Sequence, residues 1–184
     1  MYVEPTTEVP MIPTTVVPTI PPTTHAPTTQ PPIDITVIPS ELAPNPLTVE
    51  TISINSGLCS SYNGTEFILR GLPTLRHIVI GDDCFGTVRL FELNGLSKLE
   101  SVVIGKKSFT YAKTDDDIMF YVTRTDGTYR SVNCPKLKSI QIGEYSFGDY
   151  HSFELGNSPS LQSIDIGEDC FYWTLSFSLT GSFE

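Results

Sequence analysis

The chain has 184 residues, of which 21 are acidic and 11 basic, for a formal charge of −10. That balance, with no basic stripe, excludes nucleic-acid binding, which needs clustered Lys and Arg to displace counterions from phosphates. No run of about 18 apolar residues occurs, so no transmembrane segment is predicted, and the N-terminus lacks the basic and apolar regions of a secretory signal.

Composition divides the chain near residue 46. Twelve of the fifteen prolines lie at or before Pro46, and Lys and Arg are absent before Arg70. Units such as Pro13-Thr14-Thr15, Pro22-Thr23-Thr24 and Pro27-Thr28-Thr29 lose a backbone donor at each proline and offer no core to collapse onto. Residues 1–46 are therefore predicted to be a disordered stalk or linker, of the composition that carries O-glycans on surface stalks. Within it, Ile33-Asp34-Ile35-Thr36-Val37-Ile38 alternates with period two and is expected to form a short capping strand.

From residue 47 to 184 one sentence is written about five times. Leu75, Ile78, Ile80, Gly81, Cys84 and Phe85 return 24 residues later as Leu99, Val102, Ile104, Gly105, Ser108 and Phe109. They return again as Leu137, Ile140, Ile142, Gly143, Ser146, Phe147, and then as Leu161, Ile164, Ile166, Gly167, Cys170, Phe171. A degenerate first copy reads Val49, Ile52, Ile54, Asn55, Cys59. A fixed period of this length predicts a solenoid, because no single repeat can bury its own apolar face. Alternation places Ile78 and Ile80 on the inner face of an extended strand and His77 and Val79 on the outer one. The glycine after each strand is expected to supply positive φ at a tight bend.

The second half of each copy carries Phe67-x-Leu69, Phe91-x-Leu93, Tyr129-x-Ser131, Phe153-x-Leu155 and Phe177-x-Leu179, read as a second short strand. A Gly/Asn column follows at Gly71, Gly95, Asn133, Asn157 and Gly181, predicting a second corner. The fold class is thus mainly β, with two short strands per coil and little helix.

One spacing is 38 residues instead of 24, which places 14 extra residues inside one coil. The inserted stretch 111–128 holds Asp115-Asp116-Asp117, then Met119, Phe120 and Tyr121, then Asp126-Gly127, and the Asp-Gly pair predicts a projecting β-hairpin. The last copy ends without a polar cap, as expected of a piece of a longer protein.

Leu75, Ile78, Ile80 and Phe85 occupy the first, fourth, sixth and eleventh places of the leucine-rich repeat pattern, although the ninth place holds Asp83, Lys107, Tyr145 and Asp169 instead of Asn or Cys. The recurrent Ile-Gly-x-x-[Ser/Cys]-Phe resembles the BspA-like leucine-rich repeats of surface proteins from microbial eukaryotes and some bacteria. The resemblance covers residues 47–184 and implies a leucine-rich repeat solenoid acting as a surface antigen or adhesin.

Catalytic and metal chemistry find no foothold in the pattern. His25, His77 and His151, read as lying in the Pro/Thr tract, a strand and a loop, show no ligand spacing. The pairs Asp82-Asp83 and Glu168-Asp169 share a place that Lys106-Lys107 and Glu144-Tyr145 fill in other copies, so they read as solvated turn charges. Asp115 to Asp117 lack the alternation and glycine of a calcium loop. Cys84 and Cys170 share a column with Ser108 and Ser146, which reads as a demand for a small residue, with Cys84 a serine substitute. Those two lie three coils apart, too far for a bridge at roughly 4.8 Å per coil. Cys59 and Cys84 fall in adjacent coils and different columns, leaving a bridge between them open. Asn63-Gly64-Thr65 is an N-glycosylation sequon.

The sequence therefore predicts a non-enzymatic cell-surface or secreted protein that binds a protein or glycan partner, with no cofactor and no metal. Its candidate surface is the outward row His77, Val79, Ser101, Val103, Ser139, Gln141, Ser163 and Asp165, joined by Met119, Phe120 and Tyr121 of the insertion, with Asn63 as a glycan acceptor. A passive structural or coat scaffold and an intracellular interaction scaffold are the alternatives.

Overall fold

The computed structural model describes residues 48–57, 59, 62–111 and 126–182. The Pro/Thr-rich segment, the strand expected at Ile33–Ile38, the acidic run Asp115–Asp117 and the inserted Met119, Phe120 and Tyr121 lie outside them. Ten strands follow in order: β1 (Thr51–Ile54), β2 (Glu66–Arg70), β3 (His77–Ile80), β4 (Leu90–Asn94), β5 (Ser101–Ile104), β6 (Gly127–Val132), β7 (Ser139–Ile142), β8 (Tyr150–Gly156), β9 (Ser163–Ile166) and β10 (Ser176–Thr180). The odd-numbered strands form one sheet in the order β1-β3-β5-β7-β9, and the even-numbered strands form a second, β2-β4-β6-β8-β10. All pairings are parallel. The chain is a β-solenoid in which each turn gives one strand to each sheet, and no α-helix occurs among the described residues.

The register is the one that the repeated sentence dictates. Ile52, Ile78, Val102, Ile140 and Ile164 align across the first sheet, as do Ile54, Ile80, Ile104, Ile142 and Ile166. Their side chains point inward and are buried through β7. From the second sheet, Phe67, Phe91, Tyr129, Phe153 and Phe177 come into a single stack with interplanar angles of 3°, 15°, 3° and 3°. Phe85, Phe109, Phe147 and Phe171 form a second stack beside it. The two stacks meet edge to face, as at Phe91 and Phe109 with centroids 5.0 Å apart. Offset stacks and T-shaped contacts are the arrangements that the ring quadrupole favours, so the core gains beyond its buried area.

The first corner departs from expectation. Gly81, Gly105, Gly143 and Gly167 do not supply positive φ; that falls two and four residues later, at Asp83 and Phe85, Lys107 and Phe109, Tyr145 and Phe147, Asp169 and Phe171. The glycine is needed for proximity. A Cβ built on Gly105 would lie 2.6 Å from the Asp82 backbone nitrogen and 2.6 Å from the Gly81 carbonyl carbon, distances at which the stacked coils cannot close. Phe109, at φ 56°, stands where bulky residues are rarely found, at a cost of about 1–2 kcal/mol. Its ring is fully buried, which contributes about 1.5–3 kcal/mol plus ring stacking, so burial outweighs the strain. The second corner behaves as predicted: Gly71, Gly95, Asn133, Asn157 and Gly181 all have positive φ.

The Ser/Cys column is a hydrogen-bonded ladder, a stricter demand than small size. Ser108 Oγ donates to the Gly81 carbonyl at 2.8 Å, and Ser146 Oγ to the Gly105 carbonyl at 2.7 Å. Cys170 Sγ donates to the Gly143 carbonyl at 3.0 Å. Each hydroxyl also accepts a backbone N–H from the coil before it, Cys84 onto Ser108 and Ser108 onto Ser146, both at 3.1 Å. Buried polar atoms are thereby satisfied. Cys84 is more than a serine substitute: it forms a disulfide with Cys59, with Cα atoms 5.0 Å apart, across 25 residues. Closing a loop of that length stabilises by about 3.5 kcal/mol in the chain-entropy view.

The Asp126-Gly127 pair is not a two-residue hairpin turn. Gly127 opens β6, pairs with Tyr150 and lacks the positive φ that such a turn needs. A Cβ there would sit 2.9 Å from the Tyr150 Cα, so glycine is kept for close packing. The added residues leave the first sheet undisturbed, with Ser101 opposite Ser139 and Ile104 opposite Ile142.

Candidate functional site

The outward face of the first sheet carries two columns with constant spacing. Thr51, His77, Ser101, Ser139 and Ser163 form one; Ser53, Val79, Val103, Gln141 and Asp165 form the other. Period-two alternation with aliphatics inside is why these side chains face solvent. Val79, Gln141, Ser163 and Asp165 are exposed, whereas His77, Ser101, Val103 and Ser139 are half-buried by their neighbours. His77 Nδ1 and Ser101 Oγ are hydrogen-bonded at 2.9 Å. The structure thus brings eight of the sequence-derived residues onto one face. Asn63 is exposed on the loop between β1 and β2, apart from that face in sequence and register.

The flanking columns are electrostatic, and their pairing joins coils. Glu100 takes Lys138 Nζ at 2.7 Å on one side and Arg76 Nη1 on the other. These partners, Lys138 first, hold its carboxyl below the usual range. Lys106 Nζ meets Glu144 at 3.0 Å, and Asp82 accepts the Lys106 backbone N–H at 2.8 Å. On the second sheet, Arg130 lies between Glu92, at 3.3 Å, and Glu154, at 2.9 Å. Arg89 pairs with Asp126 at 2.8 Å. Asp82 thus braces a turn, its carboxylate fixed by the coil above.

Two further rows escaped sequence reasoning. The asparagine ladder missing from the first corner stands at the second, where Asn157 Nδ2 donates to Asn133 Oδ1 at 2.8 Å and Asn133 Nδ2 to Asn94 Oδ1 at 3.2 Å. The recurrence of Asn at 133 and 157 was its signal. The other is a buried trio at Tyr129, Ser131 and Cys134, where neighbouring coils hold Phe, Leu and Leu or Ser. Tyr129 Oη and Ser131 Oγ lie within reach of each other but make no hydrogen bond of good geometry, and burial raises the Tyr129 hydroxyl pKa.

His151 lies on β8, a strand instead of the expected loop, and is half-buried. Desolvation pushes the Cys170 thiol up to about 11, so it stays protonated and a poor nucleophile near neutral pH. Among the described residues, no three His, Cys, Asp or Glu side chains converge as a metal site, and no helix is long and apolar enough to cross a membrane.

No family model, curated protein or solved structure matches the chain.

Proposed function

We propose that this chain is a non-enzymatic, cell-surface or secreted leucine-rich repeat protein, of the BspA-like kind that its repeat resembles, which binds a protein or glycan partner in adhesion. The observation that carries the proposal is the contrast between columns. The flanking charges are consumed in pairs between coils, whereas the face built on Val79, Val103, Gln141 and Asp165 presents varied side chains on an unvarying backbone grid. A rigid grid with variable content is how repeat proteins hold a recognition surface. The Cys59–Cys84 disulfide supports an oxidising location, where such bonds persist. The Pro/Thr composition of residues 1–46 and the exposed Asn63 support a glycosylated stalk and module.

Protease shaving and deglycosylation of intact cells test the location; a protein that resists shaving and shows no glycan mass overturns it. Cell-adhesion assays with Val103→Arg, on the face, and Ile68→Arg, on β2, test the surface. Adhesion is expected to fall only with the first.

A passive spacer is the second reading, favoured by the bond between His77 and Ser101. Rows of small polar residues on neighbouring strands satisfy one another without a ligand.

A further inference from the structure

Two asparagines of the chain stand directly before glycine, in Asn63-Gly64 and Asn94-Gly95. Such a pair can close on itself, because a glycine has no Cβ to keep its main-chain nitrogen from the side-chain carbonyl carbon of the residue before it. A five-membered imide forms where that nitrogen is unheld and the asparagine side chain can turn toward it. The fold treats the two pairs in opposite ways.

At Asn94 both reacting groups are engaged. The residue closes β4 and is half-buried, its Oδ1 accepts from Asn133 Nδ2 at 3.2 Å, and Gly95 donates its N–H to the Val132 carbonyl at 3.2 Å. Attack there requires the second corner to open first. Asn63 instead lies outside any strand, exposed on the loop between β1 and β2. Thr87 Oγ1 donates to the carbonyls on either side of it, Tyr62 at 2.8 Å and Gly64 at 3.0 Å, and so anchors the loop. Neither bond uses the Gly64 N–H or the Asn63 amide, and neither of those groups has a partner among the described residues. The loop is tied around the pair and open at the pair.

We infer that Asn63 is a site of spontaneous deamidation in the folded protein, from which the second corner protects Asn94. The Gly64 nitrogen gives its proton to solvent and bonds to Asn63 Cγ. The Cγ–Nδ2 bond breaks, and Nδ2 takes a proton from solvent and leaves as ammonia. Water then adds to either imide carbonyl and opens the ring, giving an aspartyl residue at position 63 or an isoaspartyl one, whose main chain is longer by a methylene. Nothing is oxidised or reduced. The new carboxylate deepens a formal charge of −10. Conversion also removes the nitrogen that an N-glycan would need, so a chain that deamidates first loses the acceptor of the Asn63-Gly64-Thr65 sequon. The isoaspartyl form further lengthens the main chain between the two carbonyls that Thr87 holds.

The test uses the full chain, made without N-glycosylation and with the Cys59–Cys84 disulfide intact. It is held at mildly alkaline pH in heavy-oxygen water, either native or unfolded in guanidinium, and fragment spectra of its peptides locate each labelled carboxyl. In the native chain Asn63 is expected to convert at least about tenfold faster than Asn94, the factor that one held hydrogen bond supplies. In guanidinium, where both pairs are unstructured Asn-Gly, the gap should close. Equal rates in the native chain, faster conversion of Asn94, silence at Asn63 in the native chain, or a gap that persists unchanged in guanidinium would each overturn the inference.

Discussion

The Ser108 hydroxyl donates to the Gly81 carbonyl at 2.8 Å while it accepts the Cys84 backbone N–H at 3.1 Å, so one oxygen ties a coil to its neighbour in both directions. Ser108→Ala removes both bonds and leaves a half-buried carbonyl and a buried N–H unpaired, at a cost of about 1–3 kcal/mol. Ser108→Cys is expected to cost less, since Cys170 fills the same role in its coil. Urea denaturation of the two variants checks the order, and equal loss would mean that size alone governs the column.

Phe109 sits between Phe85 and Phe147, with ring centroids at 5.1 and 4.8 Å, and is fully buried. Phe109→Ala should destabilise by about 3–5 kcal/mol, because the stacked coils cannot collapse onto the void. Phe177→Ala, at a side chain 60% exposed, should cost less than about 1 kcal/mol. The same denaturation series reads both.

Tyr129 carries a buried hydroxyl that makes no well-formed hydrogen bond, with only the Ser131 hydroxyl within reach, where Phe91 and Phe153 stand in the adjoining coils. Tyr129→Phe is expected to stabilise the fold by about 1 kcal/mol by removing the desolvated group, a gain read as a rise in melting temperature. A loss would show that the hydroxyl has a bound partner, such as a buried water.

Much of this architecture was readable from the sequence because stacking in register converts each structural column into a spaced letter. Ile78 and Phe91 therefore announced both strands. The first corner misled because glycine answers two needs, positive φ and closeness, and the letter does not say which; Gly105 serves the second. Positive φ at Phe109 was hidden because a bulky side chain ordinarily argues against it. The charge columns were obscured by the longer spacing between Lys106 and Glu144, which pair across 38 residues instead of 24. The Cys59–Cys84 bridge crosses columns, so periodicity could not assign it.

Acid should weaken the fold through Glu100. Its carboxyl titrates below the ordinary range because Lys138 and Arg76 hold the charged form. Its contribution is complete above the unfolded carboxylate pKa and is lost as pH falls through the lower folded value. Glu100→Gln should therefore flatten the acid limb of a stability-versus-pH curve while leaving its shape at alkaline pH unchanged. An unaltered acid limb would show that the triad contributes nothing.

The undisturbed pairing of β5 with β7 across the 38-residue spacing has a consequence for how such a chain changes. Length added between Phe109 and Gly127 never enters the arithmetic of the stack, since the ladders on either side close directly on each other. That corner is a margin in which new text can be drafted, lengthened or erased while every line of the page keeps its place.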